Sequence, residues 1–146
     1  VTRYGEYSKA GEFVYDHPFQ WGSKRTGPDL ARQGGKYPDS WHFNHMYDPT
    51  SMAPGSIMPP YPSLFENELN INTTKSKIHA MRRMGVPYPD GYEATANDDL
   101  KRQADAIAAN LMNDNIEIPS SREIIALIAY LQRLGTDIKV TASTKK

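Results

Sequence analysis

The chain has 146 residues, no cysteine, and 17 basic against 17 acidic residues, which leaves no formal net charge. This length predicts a single domain, and the balanced charge does not favour a nucleic-acid partner. No apolar run approaches the roughly 20 residues that a membrane-spanning helix requires. The mean hydropathy of −0.66, together with 11 prolines and 10 glycines, predicts a domain with long ordered loops.

Residues 22–36 form a predicted loop that contains four glycines. Glycine permits positive φ angles and lets the backbone approach a flat group closely. The basic pair Lys24 and Arg25 could bind a carboxylate through charge-assisted hydrogen bonds. When the loop is considered alone, a solvated basic turn is the simpler interpretation of this pair.

A helix is predicted over residues 39–47, with Asp39 as its N-cap and Pro49 as its stop. His42 and His45 are three positions apart on this helix, a spacing that could bring two imidazoles to one zinc ion. A structural zinc site takes about four ligands, and the other histidines stand in no recognised spacing. A zinc hydrolase is therefore one alternative function, and it lacks a third ligand.

Residues 50–62 contain four prolines and are predicted to be irregular. Met52 in this segment is typical of a loop methionine that fills gaps in the packing. Met58 differs, because Pro59 and Pro60 follow it directly and stiffen the chain that carries its sulfur. The apolar side chains of such a rigid loop indicate a planar partner.

Three further helices are predicted from apolar residues at helical spacing, over residues 74–84, 98–112 and 121–134. Ser120 and Glu123 form the predicted capping box of the last helix. This helix carries six large aliphatic residues in eleven positions, so we expect it to form the core. No stretch has the alternation of a convincing strand, and the sequence therefore predicts a mainly α fold.

Three segments resemble a class I cytochrome c. Gly27-Pro28-Asp29-Leu30 resembles the loop whose proline carbonyl accepts a hydrogen bond from the iron-binding histidine. Met58-Pro59 resembles the loop that presents the axial methionine, and residues 123–135 resemble the final helix. The resemblance implies a class I cytochrome c-like domain with long ordered loops over residues 1–140, followed by a polar tail at residues 141–146.

The sequence from Arg3 to Leu30 is more specific, because it is similar to the mono-haem cytochrome c subunit of cbb3-type cytochrome c oxidases. The likeness extends to about Ile138. In that family a Cys-x-x-Cys-His site for haem c lies just before the segment that matches Arg3. We therefore expect this chain to be a piece of a longer protein, and we expect the piece to lack the N-terminal haem-attachment segment. Without cysteine, the chain as it stands cannot attach haem covalently.

The resemblance also implies roles around the haem. Met58 would be the sixth ligand of the iron, and the carbonyl of Pro28 would orient the proximal histidine. Arg25 would bind a haem propionate. Four further side chains would exclude water from the ring: Leu30, Trp41, Ile57 and Tyr61.

The implied function is electron transfer within a terminal oxidase, with no catalysis by the chain alone. The subunit would receive an electron from a cytochrome c and pass it to a haem b in the oxygen-reducing subunit. The implied partners are that membrane subunit and a second cytochrome c subunit. The implied location is the periplasmic face of the bacterial inner membrane, with membrane association through the missing part of the parent protein. A haem-free interaction or structural module of a respiratory complex is the alternative.

Overall fold

The computed structural model describes residues 9–14, 18–19, 21, 30 and 33–136. Within these ranges it is mainly helical and contains no strand, only an isolated antiparallel bridge between Glu68 and Arg122. This confirms the predicted mainly α class. The helices are α1 (Asp39–Tyr47), α2 (Pro49–Met52), α3 (Ser63–Glu66), α4 (Thr74–Arg83), α5 (Tyr92–Asn113) and α6 (Glu123–Arg133), with short 3-10 turns at Ala10–Phe13 and Ile71–Thr73.

The chain forms two compact units, residues 37–130 and residues 1–36 together with 131–146. The core of the larger unit is an apolar cluster on α5 and α6. Leu111, Ile124, Ile125 and Ile128 have no solvent exposure in it, as expected for the last helix. Four partly buried side chains of α1 and α3 also pack against this cluster: Phe43, Met46, Leu64 and Phe65.

Helix α1 has the predicted bounds, but its start is held differently. Pro38 is the N-cap, and no side chain caps the helix. The Asp39 carboxylate instead accepts a hydrogen bond from Asn110 Nδ2 at 3.0 Å, which ties α1 to α5. The two residues are 71 positions apart, so local sequence could not reveal this contact.

The segment after α1 was predicted to be irregular. This is wrong at its start, where the first turn is the short helix α2. Pro49 occupies the first helical position, where its missing N–H leaves no hydrogen bond unmade. Asp48 is the N-cap, and its Oδ1 accepts from the N–H groups of Thr50 at 3.1 Å and Ser51 at 3.3 Å. The hydrogen bond from the Thr50 hydroxyl, with those backbone bonds, holds the pKa of Asp48 below its ordinary value.

Helix α5 starts at Tyr92, earlier than the predicted residue 98. Its N-cap is Gly91, whose φ of 77° lies in the left-handed region that favours glycine. Arg82, in the last turn of α4, donates to Glu93 at 2.8 Å and also pairs with Asp90. The turn that looked like a linker in the sequence is thus stabilised by a cation from the preceding helix.

The first turn of α6 is held by Asn67 rather than by the predicted capping box. The Glu123 N–H donates to the Asn67 carbonyl at 3.2 Å, and the Glu123 carboxylate accepts from Asn67 Nδ2 at 3.3 Å. Leu69 N–H donates to the carbonyl of Ser121 at 2.8 Å. The chain after α3 therefore fixes the position at which α6 begins.

In the smaller unit, the backbone N–H groups of two glycines donate hydrogen bonds to residues at the end of α6. Gly34 N–H donates to the Leu134 carbonyl at 2.9 Å, and Gly35 N–H donates to Gln132 Oε1 at 3.0 Å. A Cβ atom at Gly34 would lie 2.5 Å from the Gln132 carbonyl oxygen and 2.6 Å from that of Leu134. Only glycine fits there without moving the backbone.

We expect Gly34→Ala to destabilise the protein by about 1–3 kcal/mol, the usual effect of forcing an extra methyl group into a packed site. Gly11→Ala is the matched control, because nothing lies within 4 Å of a Cβ atom at Gly11. Denaturant unfolding of both variants measures the difference. Equal free energies of unfolding for the two variants would show that the end of α6 shifts to make room for the methyl group.

We expect Ile128→Ala to destabilise the protein by about 2–5 kcal/mol, because it leaves a cavity at a site with no solvent exposure. Met112→Ala on α5 is the control, since Met112 is 53% exposed. A thermal melt of each variant checks the prediction. If the melting temperature of Ile128→Ala equalled that of the wild type, the placement of α6 in the core would be contradicted.

Candidate functional site

The segment 53–62, called here the methionine loop, is fastened to the end of α1. Tyr61 N–H donates to the carbonyl of Met46 at 3.1 Å. At the other end of the loop, Ala53 N–H donates to the carbonyl of Pro49 in α2 at 3.0 Å. The loop is therefore fixed to helical backbone on both sides.

Met58 lies in the middle of this loop and is half-buried. Its N–H donates to Ser56 Oγ at 3.2 Å, and Ser56 N–H closes a turn on the Ala53 carbonyl at 2.9 Å. Gly55 in this turn has a φ of 84°. The neighbouring Ile57 side chain is 89% exposed, so the loop carries an exposed apolar side chain next to the half-buried Met58.

Three rings stack at the start and middle of α1. Tyr37 and Trp41 lie 4.0 Å apart between ring centroids, and Trp41 and His45 lie 4.6 Å apart, each pair inclined by 14°. The His42 ring meets Trp41 edge-on at 5.3 Å. In this ring stack, Tyr37–Trp41–His45, the two outer rings cover the faces of Trp41.

The two histidines of α1 each keep one buried ring nitrogen without a hydrogen-bond partner. These atoms are His42 Nε2 and His45 Nδ1, and the His42 side chain is only 1% exposed. Burying a polar atom without a partner costs about 1–3 kcal/mol. Burial lowers the pKa of both imidazoles; for His42, nearby Asp39 opposes this effect and His45 adds to it.

The structure brings four of the predicted site residues onto α1 and its attached loop: Trp41, Ile57, Met58 and Tyr61. Tyr61 is 41% exposed. Leu30 belongs to the smaller unit, where it is 40% exposed and its carbonyl accepts from Gln33 N–H at 3.0 Å. Arg25 and Pro28 lie outside the described residues.

The sequence analysis did not name Tyr37, and it considered the two histidines only as a possible zinc pair. Their spacing was visible and suggested zinc, but the burial of His42 depends on tertiary packing. Among the described residues no group of three or more histidine, aspartate or glutamate side chains could hold a metal ion. The zinc hydrolase alternative therefore gains no support from the described part of the chain.

The family model described as cytochrome c oxidase, mono-heme subunit/FixO, matches residues 1–138. The chain belongs to this family. Membership confirms the resemblance to a mono-haem oxidase subunit and makes the chain part of a cytochrome c oxidase that works in electron transfer, with other oxidase subunits as its partners. The curated proteins include no match to the chain. No helix in the described ranges is both long and apolar enough to cross a membrane.

A haem fits the residues around the methionine loop. Met58 offers a thioether, a ligand that haem iron accepts in cytochromes c. The ring stack lies on α1, the helix to which the methionine loop is hydrogen-bonded. Since the chain has no cysteine, its own residues cannot form the thioether bonds of haem c.

We expect the free energy of unfolding to fall between about pH 7.5 and about pH 5.5, because the buried imidazoles are held neutral when folded but protonate when unfolded. A histidine with a lowered folded pKa stabilises the fold above its ordinary value of 6.5, and this stability is lost as the pH falls. Denaturant unfolding across this range should show a smaller fall for His42→Gln than for wild type.

His79→Gln is the control for that measurement, because His79 is an exposed histidine on α4. It should leave the pH dependence of stability as it is in the wild type. If His42→Gln and His79→Gln gave the same profile, the burial of His42 would have no part in the pH dependence.

Proposed function

We propose that this chain supplies the methionine side of a haem c site in a cbb3-type haem-copper oxidase. It passes single electrons from a cytochrome c, through the haem, to the oxygen-reducing subunit. The observation that carries this proposal is the hydrogen bond from Tyr61 to Met46. That bond joins the loop of Met58 to the helix of the ring stack, in a chain of the mono-haem family.

Met58 is the proposed sixth ligand of the iron. A thioether favours ferrous iron, and so it raises the reduction potential relative to a second imidazole. The bound haem supplies the one-electron redox chemistry. The chain holds the sulfur in place through the hydrogen bond from Met58 N–H to Ser56 Oγ and through Pro59 and Pro60, whose rings fix φ.

The remaining proposed contacts exclude water and orient the haem. Trp41, which stacks between Tyr37 and His45, and Ile57, which is 89% exposed, are proposed for this shielding role from the resemblance. Leu30 and Tyr61 are proposed for the same shielding role. Pro28 is the proposed acceptor for the proximal histidine, and Arg25 the proposed partner of a propionate.

The proposed partners are the oxygen-reducing membrane subunit and a second cytochrome c subunit. The proposed location is the periplasmic face of the bacterial inner membrane. We also propose that residues 1–140 act as one cytochrome c-like domain and that another segment of the parent protein carries the Cys-x-x-Cys-His site. These assignments rest on the family's description as a mono-haem oxidase subunit and on the resemblance in residues 3–138.

Met58 variants of the haem-loaded full-length protein test the proposal. Met58→His should keep six-coordinate iron but lower the reduction potential, because imidazole favours ferric iron more than a thioether does. Met58→Ala should open the sixth position, so that carbon monoxide binds to the reduced protein. Optical redox titration and carbon monoxide difference spectra measure the two effects.

Met52→Ala is the matched control, because Met52 is a half-buried methionine on α2, next to the methionine loop. It should change neither the potential nor carbon monoxide binding. Control of the potential and of the ferric charge-transfer band by Met52 instead of Met58 would overturn the assignment of the ligand.

The absence of cysteine favours the second candidate, a haem-free interaction module of a respiratory complex. Visible absorbance of the purified full-length protein separates the two functions. A cytochrome spectrum supports electron transfer, and a protein without Soret absorbance after expression with haem-attachment machinery supports the interaction module.

A further inference from the structure

The longest stretch of the sequence without a charged side chain is exposed. Residues 49–65 contain no Lys, Arg, Asp or Glu, a run of 17 residues in a chain of which 23% is charged. Eleven of these residues are exposed, and only Pro49 is buried. The next longest uncharged run, residues 124–132, belongs to α6, whose isoleucines fill the core. Burial explains the lack of charge in α6, but it does not explain it in residues 49–65.

The lack of charge extends back into α1. Between residues 40 and 65 the only Lys, Arg, Asp or Glu is Asp48, whereas the average for this chain would place about six in a stretch of that length. The Asp48 carboxylate accepts hydrogen bonds from Thr50 and Ser51 at the start of α2. The end of α1 and the methionine loop therefore offer almost no free charge to a partner.

Three large apolar side chains of this region face solvent. Tyr47 is 63% exposed, Ile57 is 89% exposed and Tyr61 is 41% exposed. The hydrogen bond from Tyr61 N–H to the Met46 carbonyl brings Tyr61 beside the end of α1, where Tyr47 lies. Ile57 precedes Tyr61 by four residues, so the chain keeps it within about 14 Å. These three side chains are called here the uncharged surface.

The backbone beneath the uncharged surface is already fixed. Tyr47 meets the ring of Phe65 edge-on at 5.3 Å, and Phe65 packs against the core cluster. Pro59 and Pro60 fix φ between Ile57 and Tyr61. A partner would have to order little of this backbone on binding, and that ordering is one of the main costs of association.

The exposed apolar side chains elsewhere have charged neighbours. Met84, which is 46% exposed, directly follows Arg82 and Arg83. Met112, which is 53% exposed, lies two residues before Asp114. Single apolar side chains among charges are usual on a protein surface, whereas a continuous apolar region marks a binding surface.

The missing charges also select the kind of partner. A partner that binds transiently is steered by complementary charges, and anionic lipid headgroups are held by Lys and Arg. The uncharged surface offers neither. Permanent interfaces are more apolar, with few charged residues and many aromatic ones at their centre. The family of this chain is a subunit of a cytochrome c oxidase, so other subunits are its permanent neighbours.

We propose that the uncharged surface is where another subunit of the oxidase binds permanently, through an apolar and uncharged surface of its own. The tyrosines supply large, stiff contact area at the centre of the interface. The inference goes beyond the proposed function. It needs membership of an oxidase family, but it does not depend on Met58 as the iron ligand.

Photo-crosslinking in the purified oxidase, with this protein at full length, tests the location. Benzoylphenylalanine in place of Tyr47 should form a covalent adduct with another oxidase subunit on illumination. The same replacement of Tyr130 is the matched control, because Tyr130 is a 55% exposed tyrosine on α6. It should form at least tenfold less of that adduct. Equal adducts from both positions, an adduct between two copies of this chain, or no adduct from position 47 would overturn the proposal.

A charge placed on the surface tests the chemistry. Tyr47→Lys puts an unpaired cation into the interface, so about tenfold less of the other subunits should co-purify with this protein, while Tyr47→Phe and Tyr130→Lys should retain them. The wild-type complex should withstand about 1 M salt, which screens charge pairs but not apolar contacts. Retention of all subunits by Tyr47→Lys would overturn the proposal, and so would dissociation of the wild type in salt.

These results can be read separately from the proposed function. The crosslink at position 47 forms whether or not Met58 binds iron, and it needs no change of charge that might impair folding. A wild-type protein without a cytochrome spectrum would overturn the electron-transfer role and leave the docking surface in place. A normal spectrum with no adduct from position 47 would overturn the docking surface alone.

Discussion

The burial of α6 is the constraint on which the larger unit depends. Three of its isoleucines and Leu111 of α5 are fully removed from solvent, and such burial is the main favourable contribution to folding. The other elements are attached to this cluster directly or through a neighbour. Phe43 and Met46 attach α1, and Leu64 with Phe65 attaches α3. Met46 acts twice, because its side chain packs on the cluster while its carbonyl holds the methionine loop. The packing of the core and the position of the candidate ligand therefore depend on the same residue.

The helices could be predicted where their signals are local. Apolar spacing and a stop at proline or glycine gave α1 its bounds and placed α4 and α6 within a few residues of their ends. The contacts that start the helices could not be predicted in this way. Asn110 binds Asp39 across 71 positions, and Asn67 binds Glu123 across 56. The early start of α5 depends on Gly91 and on a cation from α4, and both looked like parts of a linker in the sequence.

For the candidate site, too, local sequence features could be predicted and tertiary contacts could not. Met58 is a candidate ligand from the sequence because two prolines follow it and because its surroundings resemble those of a known ligand, and this role stays a prediction. The ring stack and the burial of the two histidines could not be predicted, because they depend on tertiary packing. Spacing alone gave His42 and His45 the pattern of a metal pair. The structure shows instead two imidazoles with unsatisfied atoms beside a stacked tryptophan.

Fixing the methionine loop at both ends has a consequence for the speed of electron transfer. A redox centre exchanges electrons quickly when the atoms around it move little as its charge changes. Asp48 caps the turn before the loop, and Tyr61 is bonded to α1 after it, so the backbone that carries Met58 has few ways to shift. In the proposed site, such a backbone would keep the thioether in nearly the same place in both oxidation states. The inner reorganisation energy would then be small, and the distance to the next redox centre would become the main determinant of the rate.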